Sequence, residues 1–290
     1  MALPANQHAL VLQAARRIME ADGLLIASGA GIGVDSGLPD FRGREGFWRA
    51  YPALGRAGLA FEQIANPAAF ARDPTLAWGF YGHRLALYRR TVPHAGFAML
   101  QQIGAALRGG LFVFTSNVDG QFQKAGFDAH ALVEVHGSIH HLQCQHGCRN
   151  EICSAEGFEP EVDEDACRLR NQAPRCHHCG EVARPNILMF GDRDWLGRRT
   201  AGQVARLDEW TGRQDRPPLT IEIGAGTGVI TVRSFAERAG GALIRINPVP
   251  ETAPATGVLH LRCGALEGIA AIHQVLVAEG FLQPAGSETH

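Results

Sequence analysis

The chain reads as an α/β protein: a doubly wound, mostly parallel sheet of Rossmann-like type, interrupted by one small inserted module. Three observations predict it. Short apolar runs recur along the 290 residues, each closed by a polar or glycine-rich cluster, with helical stretches between them. Strands alternating with helices build a parallel sheet covered on both faces. The first run, Leu24-Leu25-Ile26-Ala27, stops at Gly29, Gly31 and Gly33, and glycines after a buried strand let the backbone approach a bound phosphate. Finally, six of the seven cysteines lie between Cys144 and Cys179, which marks the insertion.

Taken in order, Ala9 to Ala21 carries apolar residues at helical spacing (Leu10, Leu12, Ala15, Ile18, Met19) and predicts a helix covering the sheet. Leu24 to Ala27 is the first strand. The usual dinucleotide fingerprint wants a third glycine where Val34 stands. The chain continues instead into Pro39-Asp40-Phe41-Arg42-Gly43. Phe47 to Tyr88 is rich in aromatics and alanine and broken at Pro52, Pro67 and Pro74, so it predicts several short helices outside the sheet. Leu111 to Thr115 is a second strand, ending at Ser116-Asn117-Val118-Asp119-Gly120, and Ala131 to Val135 a third, ending at His136-Gly137-Ser138. Beyond the cysteines the α/β pattern resumes at Ile187 to Phe190, Leu219 to Ile223 and Ala242 to Ile246, and Leu266 to Ala278 suits a closing helix. The expected division is a discontinuous nucleotide-binding domain (1–46, 93–139 and 184–283), a helical module (47–92), a metal-binding module (140–183) and a loose tail (284–290).

A net charge of −2 offers no attraction to nucleic acid or membrane. No apolar run approaches the ~18 residues of a spanning helix, and the N-terminus lacks the basic-then-apolar order of a secretory signal. A cytoplasmic, monomeric protein is expected. In that compartment clustered cysteines point to metal, not to disulfides. Cys144-x3-Cys148 and Cys176-x2-Cys179 are two pairs 27 residues apart, each able to offer two thiolates to one tetrahedral zinc ion. The polar segment between them has little to bury, so a metal would supply its stability. Cys153, Cys167, His146, His177 and His178 are alternative ligands.

Several polar residues sit at strand ends, where open α/β sheets bind ligands. Asn117 and Asp119 read as contacts to a ribose and a carboxamide, or as an ordinary Asn-x-Asp-Gly turn. His136, with an unperturbed pKa of about 6.5, is a proton acceptor at working pH. His140 and His141 are its rivals by proximity alone. Tyr81 and Arg84 are three residues apart and share a helix face; a guanidinium there can grip a carboxylate.

The stretch G-A-G-x-x-x-x-S-G-x-P-D-F-R-G from Gly29 to Gly43 closely resembles the first NAD-binding motif of the sirtuins, the NAD-dependent protein deacylases. The resemblance runs over about residues 10 to 280. T-S-N-V-D-G-Q-F-Q-K-A-G is similar to the family's T-Q-N-I-D-G-L-H-x-x-A-G, and V-H-G-S to the segment carrying its general base. Arg184-Pro-Asn-Ile-Leu-Met-Phe-Gly-Asp192 resembles the family's R-P-x-V-V-x-F-G-E, which pairs with substrate peptide by strand addition. The family also carries a zinc ribbon after its His-Gly motif. The chain departs at Gly33 (Ser or Thr in the family), Ser116 (Gln), Gln121-Phe122 (Leu-His) and Ala225 (Thr).

The resemblance implies His136 and Asn117 as catalytic residues. It implies NAD contacts at Gly29, Ala30, Gly31, Asp40, Phe41, Arg42, Trp48, Ser116, Asn117, Asp119, Gly224, Ala225, Gly226, Asn247 and Cys263. Tyr81, Arg84, Ile187, Leu188 and Phe190 would bind an acylated-lysine peptide, and Cys144, Cys148, Cys176 and Cys179 one structural zinc. Tyr81 and Arg84 match the Y-x-x-R spacing of sirtuins acting on succinyl or malonyl groups, so the acyl group is acetyl or acidic. In the implied reaction the acyl oxygen attacks the ribose carbon, nicotinamide leaves, and His136 deprotonates a ribose hydroxyl. Water then yields lysine and O-acyl-ADP-ribose. The replacements at Ser116 and Ala225 leave open ADP-ribosyl transfer or NAD hydrolysis. A non-catalytic NAD- or peptide-binding module is a further alternative, and the charge disfavours a zinc-ribbon nucleic-acid binder.

Overall fold

The computed structural model describes residues 5–39, 43–250 and 257–283. Asp40, Phe41 and Arg42, expected at the cofactor, and the 284–290 tail lie outside the described residues. In chain order, helix α1 (Ala5–Met19) leads into strand β1 (Leu24–Ser28) and a 3-10 helix (Ala30–Ser36). Then come α2 (Gly43–Ala50), α3 (Pro52–Arg56), α4 (Phe61–Ile64), α5 (Pro67–Arg72), α6 (Pro74–Arg90) and α7 (Gly96–Ala106). Strand β2 (Leu111–Thr115), helix α8 (Gln121–Lys124) and strands β3 (Leu132–Glu134) and β4 (Gly137–Cys144) come next. The cysteine-rich segment holds β5 (Ile152–Ser154), β6 (Val162–Asp163) and β7 (Arg168–Leu169), and β8 (Ala183–Ile187) leaves it. The chain finishes with α9 (Arg198–Gly212), β9 (Leu219–Ile223), α10 (Thr231–Arg238), β10 (Leu243–Ile246), β11 (Leu259–Leu261) and α11 (Ala265–Ala278).

Six strands form one parallel sheet in the order β11-β10-β9-β1-β2-β3. Strand β1 is buried along its whole length. Leu24 and Ile26 join the core under α1, α7 and α11, while Leu25 and Ala27 join the core under α9 and α10. Burial on both faces is why this strand is a continuous apolar run, not an alternating one. From β1 the chain steps outward through β2 and β3, and from β9 it steps the other way through β10 and β11. The direction therefore reverses between β1 and β9, and the crevice at such a reversal is where doubly wound sheets bind ligands.

Pro52, Pro67 and Pro74, read from sequence as breaks, each open a helix. At that position the missing N–H costs nothing and the fixed φ suits the first turn. Asp73 completes the start of α6 by accepting the Leu76 N–H at 3.0 Å. The helical module and the cysteine-bearing module share one core, which joins Phe47, Phe70 and Trp78 to Ile139, Cys167 and Leu169. Two glycines on α6 make the contact close. A Cβ on Gly79 would lie 2.1 Å from the Cys167 carbonyl oxygen, and one on Gly82 would lie 2.8 Å from Pro160.

Two expectations are corrected. The run at Ile187 to Phe190 does not continue the parallel sheet. The strand there is β8, which pairs antiparallel with β4 in a separate sheet of order β5-β4-β8. The polar stretch after His136, expected to interrupt the pattern, is that partner: its ladder needs backbone groups, which side-chain polarity does not reveal. The short strand β11 and helices α7, α9 and α10 were not singled out from sequence.

Candidate active site

Both glycine loops leave the sheet at the topological reversal, one after β1 and one after β9. They lie against each other: the Gly29 and Gly31 N–H groups donate to the carbonyls of Ile223 and Gly224, both at 3.0 Å. A Cβ on Gly31 would sit 2.6 Å from the Gly224 Cα, and one on Gly224, whose φ is +61°, 2.5 Å from Gly31. Loop-on-loop packing by itself thus requires glycine at these three positions. Open space surrounds Gly226 and Gly228 instead. Ala225 is buried in the core, and its carbonyl accepts from Asn247 Nδ2 at 2.8 Å. Position 225 therefore offers the crevice no hydroxyl, while Thr227, two residues on in the same loop, is exposed and lines it.

Strand β2 delivers the next group. Asn117 Nδ2 donates to the Gly29 carbonyl at 3.1 Å, and the Asn117 N–H donates to Thr115 Oγ1 at 3.0 Å. Asn117 is thereby locked to the first glycine loop. Asp119 accepts the Gln121 N–H at 2.9 Å, and burial pushes its carboxyl up to about 6, with the Gln121 hydrogen bond opposing. His140 is accounted for structurally, since its Nε2 contacts the Asp119 carbonyl at 3.0 Å. Neither His140 nor His141 lines the crevice, and among the described residues His136 is the histidine that does.

Half-buried at the end of β3, His136 has its pKa lowered by burial, partly offset by the Ser116 main chain. A lowered pKa keeps the imidazole neutral, and so able to take a proton, to below pH 6.5. Ring-proton NMR should give a titration midpoint for His136 below 6.5; a midpoint at or above 6.5 would contradict this environment.

The crevice is one cavity of about 880 Å³, near the top of the roughly 300–1,000 Å³ range of small-molecule sites. Its lining brings together Gly29, Ala30, Gly31, Ser116, Asn117, Asp119, His136, Gly224, Ala225, Gly226 and Asn247 with Tyr81, Arg84, Ile187, Leu188 and Phe190. At the α6 end Arg84 is 8% exposed and donates through Nε and Nη2 to Tyr88 Oη at 2.9 and 2.7 Å. Its Cζ lies 5.3 Å from the Phe80 ring centroid and 5.8 Å from that of Tyr81, within cation–π range. Leu188 and Phe190, each 39% exposed, flank the opening. Their N–H groups are already bonded to the His136 and Ala65 carbonyls at 2.9 Å.

Two residues expected at NAD lie elsewhere. Trp48 Nε1 donates to the Leu59 carbonyl at 2.8 Å within the helical module, and Cys263 is buried beneath α11 beside Gly268. Neither lines the cavity. In both cases the side chain packs against protein, Trp48 on the core of the helical module and Cys263 on the core under α11. Sequence reasoning also missed lining residues, among them Phe61, Tyr88, Val229 and Arg233. Arg233, ion-paired with Glu222 at 3.7 Å, had one usable signal, a cation in the first turn of the helix after the second glycine loop. The others belong to no motif and reach the cavity only through the tertiary fold.

The metal reading gains a definite ligand set. The sulfurs of Cys144, Cys148, Cys176 and Cys179 all lie within 4.8 Å of one another, with Cys144–Cys179 at 3.6 Å and Cys148–Cys176 at 3.5 Å. Four thiolates about 2.3 Å from one tetrahedral ion stand about 3.8 Å apart, so this donor set fits a structural zinc ion with no open position. Cys153, whose Sγ points to the Leu142 carbonyl at 3.8 Å, and Cys167, buried against α6, lie outside the cluster.

Fold and site together define a nucleotide-cleft α/β enzyme class: two abutting glycine loops share one cavity with an imidazole and a guanidinium, and a four-cysteine module packs behind. The chain belongs to the Sir2 family, whose model matches residues 29–206. An NAD-dependent protein deacylase of Thermus thermophilus is 31% identical over 261 residues, covering 89% of this chain and 92% of that protein. The mitochondrial NAD-dependent protein deacylase sirtuin-5 of Canis lupus familiaris is 32% identical over 183 residues, 58% of this chain and 56% of its own. Among solved structures, a Sir2 homologue in complex with NAD is 26% identical with a TM-score of 0.71, covering 93% of this chain and 94% of that one. No described helix is long and apolar enough to cross a membrane.

Proposed function

We propose that this chain is an NAD-dependent protein-lysine deacylase that accepts acidic acyl groups such as succinyl. The observation that carries this reading is the continuity of a single cavity from the two glycine loops, past His136, to Tyr81 and Arg84. NAD would lie along the loop end, with Gly226, Gly228 and Asn247 at its adenosine and phosphate portion and Asn117 and Asp119 at its nicotinamide. Bound there, it supplies the electrophilic ribose carbon. His136 takes the proton from a ribose hydroxyl, and the depressed pKa leaves it in the accepting form. The peptide would add as a strand beside 187–190. The acyl chain then points along the cavity to the Arg84 guanidinium.

The test uses NAD with acetyl- and succinyl-lysine peptides of one sequence, with nicotinamide and free-lysine peptide both measured. Nicotinamide release should require acylated peptide. Arg84→Met should cut kcat/KM on the succinyl peptide by about 100-fold, the scale of a lost buried charge-assisted contact, and change the acetyl value far less. Release that ignores peptide would favour NAD hydrolysis, and indifference of both peptides to Arg84→Met would remove the acidic acyl group.

A further inference from the structure

Within α6, Tyr81, Arg84 and Tyr88 stand at i, i+3 and i+7 and therefore project from one helix face, and all three line the cavity. Tyr88 belongs to no motif. Its Oη accepts two hydrogen bonds from one guanidinium, from Nε at 2.9 Å and Nη2 at 2.7 Å. Two donors converging on one oxygen fix both the position of the guanidinium and the rotation of its plane. An arginine side chain otherwise samples many rotamers, and a carboxylate is gripped well only by a guanidinium already turned toward it.

Tyr88 is itself held. Its main-chain carbonyl accepts from Gln121 Nε2 at 3.1 Å, and Gln121 in turn donates its N–H to Asp119. Lys124 Nζ closes the same helix end on the carbonyls of Arg89 and Thr91, both at 2.6 Å. Gln121, one of the positions where the motif departs from the family pattern, thus ties the tyrosine to the Asn117–Asp119 loop. Burial raises the phenol's pKa, so Tyr88 stays a neutral hydroxyl.

We infer that Tyr88 is the positioning residue that orients Arg84 toward the substrate's acyl carboxylate, with Gln121 fixing Tyr88 to the nicotinamide-side loop. This rests on the reading of Arg84 as the acyl-selecting group. The role is one of aim: it acts through Arg84 and touches no reacting atom.

The experiment compares wild type, Tyr88→Phe, Arg84→Met and the double variant on succinyl- and acetyl-lysine peptides at saturating NAD, with kcat and KM resolved. Tyr88→Phe should lower succinyl kcat/KM about tenfold more than acetyl kcat/KM, as loss of one charge-assisted hydrogen bond predicts, with the change in KM. The double variant, which buries no stranded charge, should discriminate between the peptides no less than Arg84→Met alone, because the two residues act as one unit. Equal losses on both peptides, no loss on either, or additive losses in the double variant would overturn the inference. A wild type that prefers acetyl and ignores Arg84→Met would instead overturn the reading beneath it, and the role of Tyr88 with it.

Discussion

Replacing His136 with alanine lowers the deacylation rate by about 10²–10⁴-fold, the contribution of a positioned general base, and leaves NAD affinity within a few-fold. The expectation rests on three facts about one side chain. His136 stands just past β3 at the mouth of the sheet, it is the histidine lining the cavity among the described residues, and burial depresses its pKa. The Ser116 main chain offsets only part of that burial, so the ring stays in its accepting form. The proposed NAD contacts come from the glycine loops and Asn117, which the substitution does not touch, so binding and turnover should separate. Calorimetric titration with NAD, alongside free-lysine peptide formation under single turnover, checks both halves. A variant as fast as wild type would remove His136 as the general base, and one that no longer binds NAD would make His136 a structural residue.

Replacing Cys176 with serine lowers the melting temperature by roughly 10–20 °C and releases zinc. Structural zinc sites contribute on the order of 10 kcal/mol to folding. Losing about half of that shifts Tm by about this much in a chain of this size. The effect reaches beyond the module because α6 carries the notches at Gly79 and Gly82 into which the cysteine-bearing segment fits, and the same helix carries Tyr81 and Arg84. Loosening the module should therefore also raise the KM for the succinyl peptide, while the glycine loops on the far side of the cavity keep their NAD affinity. Thermal unfolding and metal content per chain measure it, with Cys153→Ser, outside the cluster, as the variant that retains one zinc. A Cys176→Ser protein with full metal content and an unshifted melting temperature would assign the site to other ligands.

Much of this site is local in sequence. Gly29 to Gly31, Asn117, Asp119 and His136 each stand within a few residues of a strand end, and a parallel sheet gathers its strand C-termini along one edge. Motifs far apart in the chain therefore meet with no further information. The cysteines behave likewise, because tetrahedral thiolate chemistry demands two knuckles whatever lies between them. Trp48 and Cys263 illustrate the opposite case: nothing adjacent in the chain says whether an indole or thiol faces ligand or core. The pairing of β8 with β4 was hidden for the same reason, since a strand's partner depends on main-chain groups that every residue carries.

From sequence alone came the fold class, the order of its strands and helices near the glycine loops, the resemblance to the family, the candidate imidazole and the two cysteine pairs of the metal site. All but the resemblance, which rests on the quoted motifs, follow from periodicity and short-range spacing, which act over one turn or one strand. The tertiary structure decided that the glycines serve loop against loop, that Ala225 is packed in the core, that the helical and cysteine modules share one interior, and that Tyr88 holds the Arg84 guanidinium. Each of these depends on which surfaces meet after the chain has closed, and close packing leaves room for one arrangement among the many that the same residue pattern would permit.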